Sequence, residues 1–264
     1  MAGQVLTITS GKGGVGKTTA TANIGVALAR RGQRVACVDA DIGLRNLDVV
    51  MGLENRIVYD LVDVVEGRAK LRQALIKDKR LPELQLLPAA QTRLKSAVNE
   101  EQMKHLCESL KQEFDFVLID SPAGIESGFK NSIAPADRVI IVVTPEVSSV
   151  RDADRVIGLV EAYEKPTPKL IINRLRPAMV KRGDMLDTAD VLEILAIELI
   201  GIVPEDEKII TSTNRGQPVA LEDHSEAGAA FMRIAGRLMG QDIPFQVFSE
   251  SSGLMERLGQ WFRR

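Results

Sequence analysis

Short uninterrupted apolar runs alternate along this chain with longer segments whose apolar positions recur at helical spacing. The runs at residues 5–9, 34–38, 84–87, 116–119, 138–143 and 169–177 lack the alternation of a half-exposed strand, so they predict strands buried on both faces. Pro88 stops the third of them. Residues 18–32 predict a helix with Ile24, Ala27 and Leu28 facing a core and Gly32 at its end. Val58, Leu61, Val62 and Val65 predict another, ended by Gly67. Residues 99–113, 145–160 (with Pro145 near the first turn), 188–195, 209–216 and 227–239 predict the others. Strands alternating with helices in this way form a mostly parallel twisted sheet with helices on both faces, an α/β fold.

The turn between the first strand and the first helix reads GKGGVGKTT. Gly11, Gly16, Lys17 and Thr18 occupy the fixed places of a P-loop, with Gly13, Gly14 and Val15 inside it and Thr19 after it. Glycines let backbone N–H groups converge on phosphate oxygens, and the helix start adds unpaired donors and the positive end of its dipole. Lys17 would reach the terminal phosphates of a nucleoside triphosphate, and the Thr18 hydroxyl would bind Mg²⁺.

Composition agrees with a nucleotide-binding enzyme of one main domain: 264 residues, 45% hydrophobic and 27% charged, are enough for a single large core. A net charge of -2 provides no general attraction for nucleic acid. Cys37 and Cys107 belong to no C-x-x-C pair and read as core thiols. His105 and His224 stand alone without metal spacing and receive no role. The first residues carry no apolar signal region with a cleavage site, and no apolar run is long enough to span a bilayer. A cytoplasmic protein, or the mature form of an organellar one, is therefore expected.

Other candidate residues fall where strands end, at the carboxyl edge along which open parallel sheets bind ligands. Asp39 and Asp41 follow the second strand, and two carboxylates this close are costly unless a cation or water lies between them. Asp120 ends the strand at residues 116–119, where a Walker B carboxylate would hold Mg²⁺ through water. Asn173 ends a later strand, and its amide offers both a donor and an acceptor to a base edge.

At the other end, Leu254, Met255, Leu258, Trp261 and Phe262 form one apolar stripe flanked by Arg257, Arg263 and Arg264. The pattern predicts a short helix lying in an anionic membrane surface. The chain thus divides into a P-loop domain at 1–244, a polar flexible spacer at 245–252 and a membrane-targeting helix at 253–264. Burying one large apolar side chain yields roughly 1.5–3 kcal/mol, whereas ordering each residue costs about 1–2 kcal/mol, so a single tail binds marginally. Two tails on one dimer raise avidity by roughly 10²- to 10⁴-fold.

Lys12, second in the loop, is not required by the general P-loop pattern. With it, KGGVGKT resembles the deviant Walker A form of the MinD/ParA family of ATPases, and VDADIGLRNLD and the VYD and ALIKDKR runs resemble segments of its MinD branch, a resemblance that extends over essentially the whole chain. The resemblance implies an ATP- and Mg²⁺-dependent homodimer in which Lys12 crosses to the partner's nucleotide. It further implies that Asp41 orients or activates the attacking water, that Asp39 supports the Mg²⁺ hydration shell, and that Asn46 and Gly124 lie in two switches. Asn173 would read adenine beneath a loop carrying Pro204 and Asp206. The implied setting is division-site placement, with the protein reversibly peripheral on the inner face of the cell membrane, a MinC-like inhibitor recruited and a MinE-like activator triggering release. A ParA-like DNA-partition ATPase would use the same loop but needs a basic surface that the acidic balance disfavours.

Overall fold

The computed structural model describes residues 3–246. The terminal helix expected at 253–264, with Leu254, Met255, Arg257, Leu258, Trp261, Phe262, Arg263 and Arg264, and most of its spacer lie outside the described residues. The first half of the chain folds as β1 (Gln4–Thr9), α1 (Lys17–Ala29), β2 (Val35–Asp39), α2 (Leu47–Met51), α3 (Leu61–Val65), α4 (Leu71–Ala74), β3 (Ile76–Lys77), β4 (Leu84–Leu87) and α5 (Glu100–Lys111). The second half adds β5 (Phe116–Asp120), α6 (Ser127–Ile133), β6 (Arg138–Val143), α7 (Val147–Ala162), β7 (Lys169–Leu175), α8 (Pro177–Lys181), α9 (Thr188–Leu195), β8 (Glu198–Pro204), α10 (Glu207–Thr213) and α11 (Glu226–Leu238).

The strands form one sheet in the order β3-β4-β2-β5-β1-β6-β7-β8, parallel except for the β3–β4 pair. Alternate strand residues supply opposite faces. Leu6, Ile8, Cys37, Leu118 and Ile140 join the core beneath α1 and α11. Val5, Ala36, Val38, Val117 and Ile119 join the core beneath α3 and α5, and Val139, Ile141 and Val143 the core beneath α6, α7 and α9. Both faces being covered accounts for the continuous apolar runs. Burial pushes both cysteine thiols up, that of Cys107 to about 12, so they act as core packing rather than ligands.

Two expectations are corrected. Helix α1 buries more than a stripe at Ile24, Ala27 and Leu28, because it lies between the sheet and α11; Thr21, Asn23 and Gly25 are buried as well. A Cβ on Gly25 would fall 2.6 Å from the Cys37 sulfur. Val58 does not belong to the helix expected around it: it is 76% exposed, and α3 begins only after Asp60, whose carboxylate accepts from the Val62 and Asp63 amides. The edge strand β3 was not expected, since two residues carry no periodicity.

Asp78, just after β3, is buried and meets Arg80 in a bidentate pair at 2.6 and 3.0 Å. Arg80 also donates to the carbonyls of Met51 and Gly216, joining the end of α2 to the loop after α10. Arg80→Ala strands a buried carboxylate and is expected to cost about 2–3 kcal/mol in chemical denaturation. Burial raises the Asp78 carboxyl, but its hydrogen bonds and ion pair with Arg80 hold it below the ordinary value. Its stabilisation is thus present above about pH 3.9 and lost as pH falls through the lower folded value. Asp78→Asn should remove this part of acid sensitivity, and an unchanged pH profile of unfolding would refute the assignment.

Candidate nucleotide-binding site

The P-loop leaves β1 at the sheet centre, beside β5 on one side and β6 on the other. The Ser10 hydroxyl donates to the Lys12 carbonyl at 2.7 Å and sets the first bend. Two left-handed glycines follow, Gly14 at φ 78° and Gly16 at φ 98°. Gly11 admits α7, since a Cβ there would stand 2.4 Å from the Asp152 carbonyl. Gly16 likewise admits Asn173, whose amide nitrogen would be 2.4 Å from an added Cβ. Helix α1 starts directly at Lys17 with no capping side chain and no acidic residue in its first turn. Its first N–H groups and dipole are thus left for an anion.

Four charged groups and two hydroxyls meet next to this turn. Lys17 is buried, and burial lowers its ammonium while Asp120 and Asp41 oppose that shift. Asp39 and Asp120 are register partners on β2 and β5 and are both buried. Burial raises both carboxyls; Asp120 adds to the rise at Asp39, whereas Thr18, Lys17 and Thr21 oppose it at Asp120. The Thr21 hydroxyl lies between the Lys17 carbonyl at 3.0 Å and Asp120 at 3.3 Å, and Thr18 adds to the groups that hold the Asp120 carboxyl down. Hard oxygen donors of two buried carboxylates and a hydroxyl fit a divalent cation such as Mg²⁺, which would remove the penalty that raises them.

Asp39 also builds the loop that follows it. Its carboxylate accepts from the amides of Asp41 at 2.9 Å, Asn46 at 3.2 Å and Leu47 at 3.1 Å. Asp41 is thereby held half-buried near Lys17. Asn46 enters this network through its backbone and sits at the N-cap of α2. In the second switch, Gly124 adopts φ 89° with open space around it, and its neighbour Ala123 approaches Gly13 of the P-loop.

The remaining candidates divide. Lys12 points along its own chain, 3.1 Å from the Ser148 hydroxyl and 3.6 Å from the Glu146 carboxylate, and is 44% exposed. Asn173 is buried and donates to the Val15 carbonyl at 2.7 Å, while its amide oxygen has no hydrogen-bond partner among the described residues. Pro204 ends β8 beside it, in register with Leu175. The Asp206 carboxylate is committed to the fold: it accepts from the Lys208 and Ala227 amides and the Ser225 hydroxyl.

Sequence reasoning missed Thr21, Glu146 and Ser148. Thr21 lies four residues after Lys17, one helical turn on, so its approach to the same edge was open to a spacing argument. Glu146 and Ser148 follow β6, and nothing local ties them to Lys12.

Residues 6–219 match the CobQ/CobB/MinD/ParA nucleotide binding domain. The septum site-determining protein MinD of Bacillus subtilis is 54% identical over 98% of either chain. Among solved structures, MinD in the MinC:MinD cell division protein complex of Aquifex aeolicus is 52% identical with a TM-score of 0.87, covering 94% of this chain and 100% of that one. MinD of Pyrococcus horikoshii complexed with Mg-ADP is 29% identical with a TM-score of 0.81, over 89% and 95% of the two chains. A P-loop at the centre of a matching sheet, together with identity over nearly the whole length, places the chain in the MinD septum site-determining branch of the CobQ/CobB/MinD/ParA family of P-loop ATPases.

Proposed function

We propose that this protein is a Mg²⁺-dependent ATPase that dimerises on ATP, attaches to an anionic membrane through residues 253–264, and is released by hydrolysis. The observation that carries the catalytic part is the meeting of the P-loop, Lys17, Asp41 and Asp120 at one sheet edge. Thr18 and Asp120 would hold Mg²⁺, with Asp39 supporting its water shell, and the ion would neutralise charge on the terminal phosphates. The Mg-ADP complex of the Pyrococcus relative supports both ligands.

Water attacks the γ-phosphorus, a new P–O bond forms, and the bond to the β-phosphate oxygen breaks with its electron pair leaving on ADP. Asp41 orients the water, and Lys17 stabilises charge on the transferred group. Lys12 supplies a second cation from the facing subunit. Its present partners compete only weakly, because an exposed ion pair of this kind is worth ~0–1 kcal/mol. Adenine as the base follows from the family resemblance; in support, Asn173 spends one of its two amide hydrogens on Val15 and keeps its amide oxygen as an acceptor for an exocyclic amine. Pro204 and the backbone at Asp206 would close over the base, since the Asp206 carboxylate is occupied.

In the cell this switch would bring a MinC-like division inhibitor to the membrane, a partner supported by the Aquifex complex, and a MinE-like activator would stimulate release. No helix among the described residues is long and apolar enough to cross a membrane. Sedimentation with anionic liposomes in ATP, in ADP, and in ATP after deleting residues 253–264 tests the coupling. Pelleting is expected only with ATP and the tail together, enhanced by roughly 10²- to 10⁴-fold in apparent affinity over the ADP form. Pelleting that ignores the nucleotide would break the coupling.

A further inference from the structure

Arg45, in the loop between Asp39 and α2, adopts the left-handed conformation at φ 45°, where a side chain is strained. Such a residue persists only when its surroundings hold it. Here the guanidinium Nε lies 3.0 Å from the Asp48 carboxylate, in a pair whose side chains are 20% and 1% exposed. Burial raises the Asp48 carboxyl and Arg45 opposes that shift. The same turn closes on Asp41: the amides of Leu44 and Arg45 both donate to the Asp41 carbonyl at 3.1 Å. Asp41 is therefore fixed from two sides, by Asp39 at its amide and by the turn at its carbonyl.

We propose that Arg45 is a positioning residue for hydrolysis: its ion pair with buried Asp48 holds the strained turn that aims the Asp41 carboxylate. This inference rests on the reading of Asp41 as the residue that orients water. It assigns Arg45 no contact with nucleotide. The pair acts through geometry alone, and small displacements of a group that aligns reactants are costly to rate.

The test uses the full chain in single-turnover hydrolysis of radiolabelled ATP, with nucleotide affinity and thermal melting measured in parallel. Arg45→Ala is expected to slow the hydrolytic step by ~10- to 100-fold while leaving nucleotide affinity nearly unchanged. Arg45→Lys should retain most of the rate, since its ammonium can reach the position of Nε. Arg45→Ala is the decisive variant, because it keeps the strained left-handed backbone and loses the pair, whereas Arg45→Gly, which accepts that backbone freely, should be slowed less. Normal hydrolysis by Arg45→Ala would overturn the proposal, as would a loss of affinity with the rate intact. Asp41→Ala is run beside them. If it hydrolyses normally, the reading of Asp41 has failed; if it is inactive while Arg45→Ala is normal, only the positioning role has.

Discussion

Asp41→Ala is expected to lower turnover of bound ATP by roughly 10²-fold or more, because the attacking water loses the group that orients it. Nucleotide binding should survive. The side chain is half-buried, so truncation leaves little cavity, and the loop remains tied by the Asp39 carboxylate to the amides of residues 41, 46 and 47. Removing a negative charge near Lys17 also favours the polyphosphate. The variant should therefore accumulate in the ATP-bound form and pellet with liposomes more persistently than the unaltered protein. Asp41→Asn separates two contributions, since it keeps the shape and loses the charge. Phosphate release undiminished in Asp41→Ala would remove this residue from the chemistry.

Gly11→Ala should damage the site without touching any reacting group. The added Cβ would lie 2.4 Å from both the carbonyl carbon and oxygen of Asp152, which are backbone atoms of α7 and cannot rotate away. Either the P-loop or α7 must shift, and overpacking of this kind costs about 1–3 kcal/mol of stability. Moving the loop also misdirects charge-assisted hydrogen bonds to phosphate, each worth about 1.5–3 kcal/mol, so ATP affinity should fall by roughly 10- to 100-fold. Gly158→Ala is the matched control, because it lies on α7 outside the P-loop and its added Cβ meets nothing within 4 Å. Titration with a fluorescent ATP analogue and thermal melts of the two variants decide the matter. Equal affinity in both would mean that the approach of α7 to Gly11 does not shape the loop.

The Asp152 backbone stands directly against Gly11, so α7 packs on the P-loop. Arg151 and Asp154 on the same helix are exposed, whereas Val150 and Ala153 pack into the core.

Much of this was legible in contiguous residues. The P-loop announces itself because the chemistry of phosphate binding is local: a strand, a glycine turn and a helix start are enough to gather backbone donors. Strands buried on both faces are legible because double burial removes alternation, which is why β6 was expected with the bounds observed. Asp39, Asp41 and Asp120 could be placed at the sheet edge because each follows an apolar run. Their roles were another matter, since an aspartate after a strand is common.

What the linear chain could not express are pairings between residues far apart in it. Lys12 meets Ser148 across 136 positions, and Asn173 meets Val15 across 158, because the sheet order sets β6 and β7 on the far side of β1 from β5. The burial of α1 on every side depends on α11 packing over it, and the left-handed turn at Arg45 on a buried aspartate three residues on. Local propensity and periodicity report the faces an element has to bury. Which partner buries them, and which polar atoms are spent in doing so, is settled by packing between elements brought together only when the sheet closes on its helices.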